Sequence, residues 1–151
     1  MQTFDLIARK LVAHGGRARR SFQLAVTRSV ERCASVDGVA PLATTVRQGL
    51  RLLDSAHAEI DMQAAGDPSA LGAASYDLLT FYATLALGWT WMELAALACD
   101  PETDPVWWPA LRNTRALAAA WFDRQMPMLQ ALHERIVRGP QALMALADEE
   151  V

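Results

Sequence analysis

The chain has 151 residues, 52% hydrophobic and 21% charged, which is one domain's worth of sequence with enough apolar mass for a real core and excludes a disordered tail. Abundant alanine and few glycine-proline clusters favour helix over strand. The net charge of −3 conceals an asymmetry: seven basic residues against Asp5 and Glu31 give +5 over residues 1–32, leaving −8 for the remainder.

Apolar positions three or four apart (Phe4, Ile7, Leu11, Ala18, Phe22, Val26, Val30, Cys33) predict a first helix. Gly15 and Gly16 fall within it and predict a kink or split there. Asp37-Gly38 followed by Pro41 marks a turn. A second helix follows, with Leu42, Val46, Leu50, Leu53, His57 and Ile60 on one stripe. It should end at Gly66-Asp67-Pro68, with Gly66 in a left-handed C-cap and Asp67 or Ser69 capping the next helix.

The third helix is predicted from about Leu71 to Cys99. Between Leu78 and Cys99 its plainly polar residues are Thr80, Thr84, Thr90 and Glu93. Such a run is long enough to span a membrane. However, Glu93 lies inside it, Trp89 and Trp91 sit near its middle, and no Lys or Arg flanks it closely. It is therefore read as the most buried helix of a bundle, with no membrane span. The acidic, proline-bearing loop Asp100 to Pro105 ends it. A fourth helix covers Trp107 to Arg138, with Pro127 bending it. Gly139-Pro140 stops that helix before a short last one, Gln141 to Ala147. The expected fold is all-α, an up-down four-helix bundle with a short extra C-terminal helix, residues 1–151 forming a single domain.

Motifs for chemistry are missing. There is no dinucleotide or P-loop glycine pattern, no nucleophile elbow and no Cys/His signature. A di-metal bundle needs Glu-x-x-His on two helices; the nearest approach is Asp54-Ser55-Ala56-His57, and His133 has no carboxylate at ligand spacing. That pair is read as a helix-surface Asp/His pair. Glu93, an acid inside the most apolar helix, is either a general acid/base or a structural partner of an arginine such as Arg115, the latter preferred. Catalytic, cofactor-binding and metal residues are thus all expected to be absent.

Cys33 and Cys99 are isolated, in apolar helical surroundings, and read as free thiols of a cytoplasmic protein. No secretory signal is expected: the arginine-rich start has some transit-peptide character, but its apolar positions run on past residue 30. The basic first helix is read as a solvated or internally paired face and not as a nucleic-acid surface, since no aromatic-basic interleaving accompanies it. Of Trp107 and Trp108, adjacent in sequence, only one can face the core of one bundle. The other is either a contact for a neighbouring domain or subunit, or packs with its neighbour under the loop from Asp100.

The run from Ser75 and Tyr76 through Ala86-Leu87-Gly88-Trp89-Thr90-Trp91 resembles a helix of the C-terminal domain of larger bacterial acyl-CoA dehydrogenases. Ala118-Ala119-Ala120-Trp121-Phe122, continuing to Met126-Pro127, is similar to that domain's next helix, and Gln141-Ala142-Leu143-Met144-Ala145-Leu146 to its terminal segment. The likeness covers residues 70–151 well and 41–66 by pattern, and does not reach residues 1–38. It implies a non-catalytic helical domain serving oligomerisation or docking onto a flavoenzyme core in fatty-acyl-CoA oxidation. FAD and the catalytic glutamate belong to the family's other domains, so no cofactor is expected in this chain. The implied partners are a second copy or an acyl-CoA dehydrogenase core. The alternative is a stand-alone bundle that binds an acyl chain or another small apolar ligand.

Overall fold

A computed structural model describes residues 13–139. The first twelve residues, including Phe4, Ile7 and Leu11, and the last helix expected at Gln141 to Ala147 lie outside the described residues. Within them every regular element is helical: α1 (Ala13–Cys33), α2 (Ala40–Gly66), α3 (Ala70–Leu97), α4 (Trp108–Leu111), α5 (Thr114–Gln125) and α6 (Met128–Val137). A short 3₁₀ turn, Pro105–Trp107, precedes α4.

α2 and α3 form the central pair, with α1 against one side and α5–α6 against the other. Cross-helix contacts give the directions. Phe22 meets Tyr82, Ser29 meets Trp89 and Arg32 meets Glu93, so α1 runs parallel to α3. Ser55 meets His133 and Gln63 reaches the carbonyls of Ile136 and Val137, so α6 runs parallel to α2. Asp77 pairs with Arg135, at the start of one helix and the end of the other, which sets α6 antiparallel to α3. The all-α up-down bundle expected from the sequence is the fold observed.

The α2 stripe is inward as read: Val46, Leu50, Leu53, His57 and Ile60 are buried, and Leu42 packs at its edge. On α3 the core residues are Leu78, Phe81, Tyr82, Leu85 and Met92. By length and composition α3 could cross a membrane, yet it lies at the centre of the bundle with Leu78, Phe81, Leu85 and Met92 fully buried.

Three local expectations need correction or refinement. Gly16 takes a φ of 72°, a left-handed conformation within the first turn of α1, in line with the expected distortion. Gly66 is not left-handed. α2 is closed instead by Asp67 in an extended conformation (φ −142°, ψ 105°), whose N–H bonds the Gln63 carbonyl at 2.8 Å. Pro68 is the cause, because a residue before proline is driven to extended backbone. Asp67 then accepts the Ser69 N–H at 2.8 Å, while Ser69, at the N-cap, makes no side-chain cap bond.

The single fourth helix is the larger correction, since it breaks twice. At the first break Asn113 leaves helical conformation (φ −105°, ψ 2°), and its carbonyl restarts the ladder by accepting Leu117 N–H at 2.9 Å. At the second, Pro127 offers no N–H to the carbonyl of Asp123, so the chain turns into a new helix instead of bending smoothly.

Two glycines set how closely the helices approach. A Cβ on Gly49 would stand 2.8 Å from Leu85 Cδ1 and 2.9 Å from Leu129 Cδ1, and one on Gly88 2.7 Å from Met126 Sδ. Gly49→Val should therefore destabilise by about 1–3 kcal/mol, because branched tips from two helices must move together. Gly88→Ala should cost less than half as much, since it meets first a flexible thioether and gains helix propensity. Urea unfolding of the two variants measures the difference.

Candidate docking surface

Several polar side chains between the helices are paired with one another. Glu93 accepts from Arg32 Nη2 at 2.5 Å and from Trp89 Nε1 at 3.4 Å. The Trp89 indole N–H also donates to Ser29 Oγ at 2.7 Å, and Arg32 reaches the same hydroxyl at 3.2 Å. This cluster ties α1 to α3. The structural role read for Glu93 holds, but its arginine is Arg32 and not Arg115. Arg115 lies across the α1–α2 turn, its guanidinium 2.4 Å from where a Cβ on Gly38 would stand. Gly38 itself has a φ of 75°, so the backbone demands glycine there, whereas the arginine tip could give way to a Cβ.

His57 is buried against Tyr82, with Nε2 2.8 Å from the phenol oxygen. The surface Asp/His pair is therefore wrong, and the stripe placement of His57 is right. Asp54, one turn earlier, points out to Gln23 and lies 4.0 Å from Arg19. Four residues on a helix share a face only approximately, and here a three-residue step separates the core from solvent. Burial, then the nearby Arg19 charge, pushes the His57 ring down to about 4 from 6.5. Burial pushes Tyr82 up to about 12 from 10.0. Both groups are thus neutral at pH 7, and neither has a substrate-accessible position. Cys33 is buried and its thiol is raised by burial, which makes it a poor nucleophile. Among the described residues no group of three or more His, Cys, Asp or Glu side chains is placed to hold a metal.

The remaining features are surfaces. Trp107 and Trp108 are both exposed, at 61% and 56%, beside an exposed Val106. Neither reading of the tryptophan pair is met in full: the chain turns through the Pro105–Trp107 3₁₀ segment and carries both indoles out of the core. Asp104 fixes that turn by accepting Val106 N–H at 2.9 Å, and Thr103 anchors the loop on the Leu97 carbonyl at 2.8 Å. Trp108 borders an open depression of about 600 Å³ that Arg112 and Arg115 also line. A second surface is the outer side of α3, where Tyr76, Leu87, Leu94 and Leu97 remain exposed. The sequence offered a signal for it, since these positions are separated by 11, 7 and 3 residues, each close to a whole number of helical turns, but an all-apolar helix hides which of its faces is left uncovered.

These features define a helical module with apolar side chains exposed at the Trp107–Trp108 corner and along the outer side of α3. The family model described as Acetyl-CoA dehydrogenase C-terminal like matches residues 22–147, and the chain belongs to that family. The match begins inside α1, well before the region that the sequence likeness reached. No curated protein and no solved structure matches the chain.

The His57–Tyr82 pair generates a pH prediction. His57 is neutral in the fold with a value below that of the unfolded chain, so its contribution is complete above pH 6.5 and shrinks as pH falls toward 4. The loss should reach about 3 kcal/mol at full protonation. Tyr82 imposes a corresponding loss as pH rises from 10 through 12. His57→Leu should remove the acid-side slope, at a cost of about 1–3 kcal/mol at pH 7 for the stranded Tyr82 hydroxyl. Denaturant melts between pH 4 and 8 read both effects.

Proposed function

We propose that this chain is a non-catalytic accessory domain of acyl-CoA dehydrogenase type, cytoplasmic, which docks onto a dehydrogenase core through its Trp107–Trp108 corner. The core supplies FAD and the catalytic glutamate. The observation that carries this reading is a pair of adjacent, exposed tryptophans in a chain whose family is defined by attachment to a dehydrogenase. Tryptophan and arginine are the side chains that most often dominate binding energy at interfaces. Trp108, Arg112 and Arg115 stand around one depression, shaped to receive a protruding apolar group flanked by carboxylates.

Titration of the chain against a purified acyl-CoA dehydrogenase core lacking its C-terminal domain tests the proposal. Binding should weaken at least tenfold in Trp108→Ala, the effect of losing about 1.4 kcal/mol or more. Arg124→Ala, on α5, should leave it unchanged. Wild-type chain that shows no binding, or binding indifferent to Trp108, sinks the proposal.

A groove favours a second reading, in which the bundle binds an acyl chain or another small apolar ligand. The break at Pro127 opens a cleft of about 580 Å³ between α2 and α5–α6, with Leu42, Leu52, Phe122, Met126 and Leu129 in its lining. Trp121 stands close to Gly88 beside Met126, so an occupant should quench its fluorescence. Fatty acid or acyl-CoA at micromolar levels that leaves the emission unchanged counts against this reading.

A further inference from the structure

We infer that the groove between α2 and α5–α6 is a site for an organic amine, an ammonium group carried on an elongated apolar body. The inference rests on the groove reading given above and narrows it, since it names the charge the ligand carries. Leu42, Leu52, Phe122, Met126 and Leu129 supply the apolar walls of a space of about 580 Å³. That volume falls in the range of small-molecule sites, which combine apolar walls with a few placed polar groups. Along α2 the groove runs from Pro41 to Leu52, about 17 Å of helix. Pro41 and Pro127, each with a fixed φ, stiffen two corners of it.

The polar part of the lining sets the sign of the ligand. Asp123 is the one charged side chain that lines the groove among the described residues. It is exposed, and its carboxylate is engaged in no hydrogen bond or ion pair among those residues. Arg51 and Arg124 do not enter the lining.

The other polar groups are left to accept. Thr45 Oγ1 already donates to the Pro41 carbonyl at 3.1 Å, and Gln130 Nε2 donates to Glu134 Oε1 at 3.0 Å. The Thr45 hydroxyl oxygen and the Gln130 amide oxygen therefore remain as acceptors, and Gln48 offers a further amide oxygen. Glu134, held on Gln130, adds a second negative charge beside the groove. An ammonium group has three donors and no acceptor, which complements this set.

A carboxylate on the same apolar body would set its charge against Asp123 with no cation in the lining to offset it. A neutral alcohol would leave Asp123 no better paired than water does. Burial of the apolar body supplies most of the affinity, and Asp123 supplies the choice among head groups. Because Asp123 is exposed, its attraction for an ammonium group is screened by salt.

Isothermal titration of the full chain with decylammonium, 1-decanol and decanoate at low salt tests the inference. Decylammonium should bind about threefold to fivefold more tightly than the alcohol, the effect of one exposed ion pair, and decanoate more weakly than either. The preference for the amine should vanish in Asp123→Asn and shrink in about 0.5 M salt. Asp123→Asn should keep the wild-type urea melt, because the carboxylate holds no other residue. Glu31→Gln, at an exposed position on α1, removes the same charge and should leave the preference intact. Ala119→Phe, whose ring would enter the groove, should weaken all three ligands. Equal binding of amine and alcohol, tighter binding of decanoate, or a preference that survives Asp123→Asn overturns the inference. If Ala119→Phe still weakens binding in that case, the groove reading stands without it. Binding of none of the three ligands removes both.

Discussion

A helix that carries apolar side chains on nearly every side must be enclosed, and the arrangement of this chain follows from enclosing α3. Leu78, Phe81, Leu85 and Met92 are sealed by α1, α2, α5 and α6, which all contact α3. The fit is tight enough that Gly49 and Gly88 have no room for a methyl group without displacing a neighbour. Close approach of this kind maximises dispersion contacts, and it also makes the central pair intolerant of added volume. Two sets of polar groups in and at the edge of the interior are matched, His57 with Tyr82, and Ser29 and Trp89 with the Arg32–Glu93 pair.

Much of this was legible in the residues. The α2 stripe from Val46 to Ile60, the turn at Gly38 and the all-α class follow from periodicity and turn chemistry, which are local signals. The misreadings arose where two signals competed at one place. Gly66 favours a left-handed cap, but Pro68 dictates the conformation of the residue between them. Pro127 was read as a bend, and the additional departure at Asn113 has only a weak sequence signal. His57 stood on the apolar stripe and beside Asp54, and only packing decides which neighbour it serves. Glu93 needed a cation, and which arginine comes within reach is a question of topology, not of sequence spacing.

The surfaces were less legible than the core, for a physical reason. Burial of an apolar side chain is a strong and general force, so core positions show in hydrophobic periodicity. Whether an apolar position is left uncovered depends on how many helices surround it. On α3 the helices on either side stop short of the Tyr76–Leu97 strip, and the sequence of α3 itself is equally apolar there. The tryptophan corner is similar: Trp107 and Trp108 are brought outward by the Pro105 turn, whose effect on their direction depends on the loop anchored by Thr103.

The up-down order of the helices has a kinetic side. α1 with α2, and α2 with α3, are joined by turns of a few residues, so most of their packing brings together segments that are near neighbours along the chain. Helical domains built from such local contacts fold in about microseconds to milliseconds. The contacts of α1 with α3 and of α6 with α2 and α3 are longer-range, and those of α6 must wait until the broken fourth segment has been drawn in. The α2–α3 hairpin can thus act as the template, and the two-piece arm α5–α6 as the latch that closes last over Gly49 and Gly88. A nascent chain leaving the ribosome would hold its most apolar helix against a partner early, before the final helices have been made.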